Sequence, residues 1–232
     1  METIFSMAGW EMLLRWFHFL AGITWIGLLY YFNLVQTPFF GTADPAVRSG
    51  MVRSLVPNAL WWFRWGAMIT FLTGWLIILT RWGHQGIPLS TMTLILTGGI
   101  MGTLMWANVW FVIWPAQKVV IASAQQVSTG GQAIPEAAAR GQRAGLASRT
   151  NTVLSLGMLF FMGAQTHLPA LAKGANLTLY WLVVFAILVL AEANALLGPG
   201  LPTQKPLATV RGTLHAGFGL TVVMIALAAL CA

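Results

Sequence analysis

Charge is the first thing this sequence does without. Among 232 residues there are five Asp and Glu and 12 Lys and Arg, 7% charged in all, where soluble domains carry about 25%. So thin a polar coat cannot cover a chain that is 58% hydrophobic, which excludes an ordinary water-soluble domain. Cysteine is nearly absent too: Cys231 stands alone, one residue from the C-terminus. One thiol excludes an internal disulfide, a cysteine-rich zinc site and an iron–sulfur cluster held by this chain by itself. There is no C-x-x-C-H, so haem attachment through the usual covalent motif is excluded. A Walker A loop, a dinucleotide-binding glycine fingerprint, H-E-x-x-H and a nucleophile elbow are all missing. The opening METIFSMAGWEM lacks the basic n-region of a signal peptide, so the first apolar segment is expected to stay in the mature protein.

What the sequence has is apolar length and tryptophan. Twelve Trp residues fit a membrane protein, because Trp collects where bilayer meets water. The net charge of +7 is read as topogenic and not as a nucleic-acid footprint, since the basic residues are scattered between apolar runs and form no patch. A helix needs about 20 apolar residues to cross a hydrocarbon core roughly 30 Å thick. Six runs meet that length, at about 12–32, 61–80, 93–114, 152–171, 177–198 and 210–231. Pro115 is read as an end or kink of the third. Gln165 and His167 interrupt the fourth. Residues 115–150 form a polar connection that carries a short helix started by Pro135 and Glu136. The expected fold is all-α: a polytopic transmembrane helical bundle of about six helices forming one integral-membrane domain over 1–232.

Lysine and arginine orient it. One set of connections, with flanks, holds Arg48, Arg53, Arg64, Lys118, Arg140, Arg143, Arg149, Lys205 and Arg211. The other side holds Arg15, Arg81 and Lys173. The excess belongs inside, so both termini are expected outside, periplasmic for a bacterial inner (cell) membrane.

Ionisable groups within apolar spans are costly, and each is a functional candidate. His18 lies about six residues into the first run, roughly 9 Å deep at the helical rise. His167 falls near the outer end of the fourth and His84 just beyond the outer end of the second. His215 and Glu192 fall toward the inner side. Two axial imidazoles need similar depth, so His18 can pair with His167, or with His84 if that connection folds inward. It pairs poorly with His215, roughly 15 Å away along the membrane normal. Imidazoles on facing helices of a bundle are a standard cofactor site, and His commonly holds haem iron. Gly22 follows His18 by one turn and leaves room for a flat macrocycle, and Trp25 continues that face. HAGFG repeats the spacing at His215 and Gly219. Met158 and Met162 are read as core residues that could serve as axial ligands at haem level. The glycines of TGGIMG are read as a helix-packing face. Glu192 is read as pairing with His215 or Arg211, with a proton relay as its functional alternative.

The stretches LLRWFHFLAGITWIG, WWFRWGAMITFLTGWLIIL, WANVWFVIWPAQKVV and SRTNTVLSLGMLFFMGAQTHLP together resemble the membrane domain of bacterial urate hydroxylase, the urate oxidase N-terminal domain family. The resemblance runs from about Met12 to Leu197. The first helix is also similar to the copper-resistance D and membrane protoporphyrinogen oxidase families, where a histidine at this position is associated with haem b. The resemblance implies a redox protein and puts His18 and His167 on family histidines. That family is often fused to a C-terminal periplasmic cytochrome c, which the present sequence does not contain up to Ala232. Around LWWFRWGA the family has a histidine and an acidic residue where this chain has Trp61 or Trp62 and Gly66. A His- and Gly-rich insertion before the second helix is missing as well.

The reading is therefore an integral-membrane protein binding haem b through His18 and His167. It is expected to be an electron-transfer subunit of a larger respiratory or oxidoreductase assembly. Its expected partners are the lipid bilayer, other subunits or a separate cytochrome c, and quinol, with no nucleic acid. The alternatives are a urate or purine hydroxylase passing electrons to a separate cytochrome c, and a cofactor-free accessory subunit.

Overall fold

Each apolar run folds as helix, and several of these helices outgrow the run that defines them. The computed structural model describes residues 5–172 and 176–232. Met1 to Ile4 and Lys173, part of the sequence readings above, lie outside the described residues. Six long helices follow one another among those described: α1 (Met7–Thr42), α2 (Pro45–His84), α3 (Leu89–Ser128), α4 (Ala137–His167), α5 (Leu177–Leu196) and α6 (Val210–Cys231). The described residues contain no strand. Helices α1, α2, α3, α5 and α6 are each long and apolar enough to cross a membrane, and the chain is a multi-pass membrane protein.

Proline does not stop α3. The helix widens to π-type hydrogen bonding over Asn108–Ile113, just before Pro115, and then runs on to Ser128. The same device occurs in α1 over Tyr31–Gln36, just before Pro38. Proline lacks the N–H that would bond one turn back, and its ring crowds the carbonyl there. One wider turn absorbs both problems. The polar connection expected over 115–150 is accordingly mostly helix. Pro135 and Glu136 do precede a helix start, but that helix is α4 itself, which begins at Ala137.

α4 falls short of the other five in apolar composition because it is the middle of the bundle. It packs against α1, α3, α5 and α6, and Thr150, Asn151, Thr152, Ser155 and Phe161 are buried on different sides of it. Asn151 Nδ2 donates to the Met105 carbonyl at 2.9 Å, and Ser155 bonds Tyr30 Oη at 3.0 Å. Glycines let its neighbours approach. A Cβ on Gly98 of α3 would lie 3.1 Å from the Met158 carbonyl, and one on Gly217 of α6 would lie 3.2 Å from Val153 Cα. Small residues at such crossings let backbones pack closely where lipid supplies no hydrophobic drive.

Candidate functional site

A face of α1 builds the site. Glu11, Arg15, His18, Gly22 and Trp25 recur at helical spacing, and all but Glu11 line a cavity of about 820 Å³ walled by α1, α2, α3 and α4. The volume falls within the range of small-molecule and cofactor sites. The lining is largely apolar and rich in glycine: Gly22 and Gly27 on α1, Gly74 on α2, Gly99 and Gly102 on α3.

His18 Nδ1 lies 3.1 Å from Thr73 Oγ1 on α2. The Thr73 hydroxyl has its own acceptor, the Ile69 carbonyl at 2.6 Å. A hydroxyl carries one proton; with it on the Ile69 carbonyl, Thr73 accepts from the His18 tautomer protonated at Nδ1. In that tautomer Nε2 keeps its lone pair, the arrangement by which a second group orients a metal-ligating imidazole. Gly74 completes the seat: a Cβ there would stand 3.0 Å from His18 Cε1 and 3.4 Å from Nδ1.

The rest of the wall carries few polar atoms. Trp25, 1% exposed, has an indole N–H with no acceptor among the described residues. Trp75 Nε1 donates to Thr103 Oγ1 at 3.0 Å. Met158 and Met162 of α4 lie on the lining. At the end of the cavity nearer the start of α1, Arg15 and Arg81 border it. Both pair with Glu11, which also accepts from Gln85 Nε2 at 3.1 Å; the Arg81 Nε contact is 2.7 Å. Each guanidinium has further N–H groups to offer, since five donors outnumber one shared carboxylate.

The structure gathers only part of the expected set. His18, Gly22 and Trp25 meet at the cavity. His167, the expected second ligand, is exposed at the end of α4 and is not on the lining, although its neighbours Gln165 and Thr166 are. His84 is exposed in the π-type end of α2. His215 and Gly219 are exposed on α6, and nothing lies within 4 Å of a Cβ on Gly219; the packing glycine of HAGFG is Gly217. Glu192 pairs with neither His215 nor Arg211 among the described residues. It accepts from Asn108 Nδ2 at 3.0 and 3.1 Å, and Asn108 also donates to Asn151 Oδ1 at 2.9 Å. In TGGIMG, Gly98 is the packing glycine, while Gly99 and Gly102 open the cavity wall.

Thr73, Gly74 and the Glu11–Arg81 pair escaped the sequence reading. A signal existed: Gly66, Thr70, Thr73 and Gly74 form a small, polar stripe at helical spacing within an apolar run. The described residues bring no three His, Cys, Asp or Glu side chains together as a metal cluster. A haem asks less of the protein, because the macrocycle supplies most donors and the chain only the axial ones.

A second cavity, of about 1000 Å³, opens at the other end of the bundle. Asn33 and Gln36 of the α1 π turn line it, with Arg48 and Arg149 at its edges. Asn33 Nδ2 donates to Ser148 Oγ at 2.8 Å, and Arg149 donates to the Leu207 carbonyl at 3.0 Å.

No curated protein and no solved structure matches the chain. The family described as Urate oxidase N-terminal matches residues 75–195. That stretch holds the end of α2, all of α3 and α4 and nearly all of α5, and with it Thr103, Met158 and Met162 of the cavity wall; His18 precedes it. The match covers more than half of the sequence and agrees with the resemblance carried by its motifs: the chain belongs to the urate oxidase N-terminal family.

Proposed function

We propose that the apolar cavity at the start of α1 holds haem b, with His18 as an iron ligand through Nε2, in an electron-transfer subunit of a membrane oxidoreductase assembly. One observation carries the reading. His18 lines a cavity of cofactor size with Nδ1 held 3.1 Å from the Thr73 hydroxyl, whose proton has the Ile69 carbonyl as acceptor, a pairing that in the Nδ1–H tautomer keeps the Nε2 lone pair for a metal. A bound haem would supply one-electron storage. The chain would hold it with residues of separate tasks. Thr73 fixes the tautomer, and Gly74 lets the ring sit against α2. Gly22, Gly99 and Gly102 keep the walls clear for a flat group. The unused N–H groups of Arg15 and Arg81 suit an acidic edge, and the Trp25 N–H is a donor awaiting an acceptor.

For the second axial position, Met158 and Met162 are better placed than His167, because both line the cavity and His167 does not. His/Met pairs are an established haem ligation. The electron donor in this reading is a quinol or a membrane partner, and the acceptor a separate cytochrome c, in the inner membrane of a bacterium.

The test is a reduced-minus-oxidised spectrum of the purified chain, before and after adding haem. The expected result is a b-type difference spectrum that His18→Ala abolishes. A flat spectrum with haem supplied in stoichiometric amount overturns the reading. The family match favours a second reading, a urate-class purine hydroxylase passing electrons to a separate cytochrome. It predicts that urate reduces the chain's chromophore in membranes containing that carrier, and absence of substrate-dependent reduction counts against it.

A further inference from the structure

Arg64 stands inside the apolar run of α2 with no carboxylate beside it: among the described residues, the ion pairs belong to Glu11. Its guanidinium carbon lies 3.8 Å from the centroid of the Trp114 ring and 5.4 Å from that of Trp110. Lys118, one turn further along α3, brings its ammonium to 5.7 Å from the same Trp114 ring. Two cations therefore converge on one indole ring at the α2–α3 seam. The orphan polar atoms there are donors as well. Arg64 Nε and Trp110 Nε1 are buried with no acceptor among the described residues. Donors without acceptors beside unpaired positive charge call for an anion.

The surroundings say where that anion comes from. Trp61, Trp62 and Trp65 flank Arg64 on α2 and are 48%, 59% and 40% exposed. Trp65 packs edge-on against Trp110, with centroids 5.6 Å apart. A band of half-exposed tryptophans marks the level of the membrane interface, where lipid phosphates lie. Guanidinium and phosphate match in planar, two-point geometry, and basic pockets between transmembrane helices are suited to acidic headgroups.

We propose that the seam formed by Arg64, Lys118 and Trp114 binds the headgroup of an anionic phospholipid. The site is independent of the haem reading. The test is native mass spectrometry of the full chain in detergent micelles doped with phosphatidylglycerol or phosphatidylcholine, with and without inorganic phosphate. Phosphatidylglycerol adducts are expected to persist where phosphatidylcholine adducts do not. Arg64→Gln and Lys118→Gln are each expected to weaken retention about fivefold, the typical contribution of one basic residue at a charged bilayer. Lys118 is exposed, so Lys118→Gln serves even if Arg64→Gln misfolds. Arg53→Gln, an exposed cation of α2 away from the seam, is expected to change nothing. Equal retention by Lys118→Gln and wild type, equal retention of the two lipids, or an equal loss in Arg53→Gln overturns the proposal. Displacement by inorganic phosphate assigns the site to a free anion, and a stoichiometric protein on the seam without lipid assigns it to a subunit interface; either also overturns it.

Discussion

The two ends of this bundle hold cavities of similar size, both largely apolar, that differ in the polar groups set into their walls. At the end where α1 begins, about 820 Å³ is walled by glycines, methionines and aromatic rings around one imidazole. At the other end, about 1000 Å³ is lined by Asn33, Gln36, Gln117 and Gln142 set among apolar residues such as Phe32, Phe40, Leu60 and Phe63. Size therefore does not distinguish them; the state of their polar groups does. In the first, His18 pairs with Thr73 through Nδ1, which in the Nδ1–H tautomer leaves the Nε2 lone pair unclaimed. In the second, Asn33 and Arg149 spend donors on the protein's own Ser148 and Leu207, and Gln36 Oε1 is buried with no donor among the described residues. Imidazole nitrogen suits iron, whereas an amide oxygen suits harder ions, so the first wall is the one that fits a haem iron.

The sharpest break of this comparison is His18→Ala, which is expected to remove haem retention entirely, as read by difference spectroscopy. His84→Ala and His215→Ala should leave the spectrum intact. Thr73→Val keeps the shape of the wall but removes the acceptor for Nδ1–H. Haem affinity is expected to fall roughly 10–100-fold, the usual cost of losing such a second-layer partner, measured by haem titration. Gly74→Ala places a methyl 3.0 Å from His18 Cε1. The ring must shift, at about 1–3 kcal/mol for overpacking, so occupancy should drop while the protein stays folded by gel filtration. Asn151→Leu cuts the link from Asn108 to the Met105 carbonyl and is expected to lower thermal stability in detergent by about 1 kcal/mol, with no effect on the spectrum. The smallest effect belongs to the second cavity: Gln36→Leu should leave haem titration unchanged. If Gln36→Leu altered the spectrum as Thr73→Val does, the contrast between the two ends would fail.

Much of this was legible from the residues in order. Six apolar runs became six helices because length and hydropathy are local properties. His18, Gly22 and Trp25 share a face because three to four residues make a turn. The misreadings have physical causes. Pro115 is read as an end or a kink; α3 does not end there, because a π turn ahead of it lets the helix continue. The start of α4 looked like a separate short helix in a polar loop, because its first turns carry exposed Arg140, Gln142 and Arg143 while the helix runs on unbroken through buried Thr150, Asn151 and Thr152 into the apolar run. His167 matched His18 in expected depth, but depth along the membrane does not say which way a side chain faces. Glu192 looked like a partner for a cation and instead takes its hydrogen bonds from Asn108.

By itself, the sequence determined that this is a multi-pass helical protein, where its apolar runs fall, and that His18 is an ionisable group in an apolar setting. Each follows from composition and from spacing within one segment. Only the tertiary structure decided that Thr73 and Gly74 seat His18, that Met158 and Met162 share its cavity while His167 does not, and that Arg64 and Lys118 meet over Trp114. Those are contacts between helices many residues apart, set by how small residues let neighbouring backbones approach, and no periodicity within a single helix encodes them.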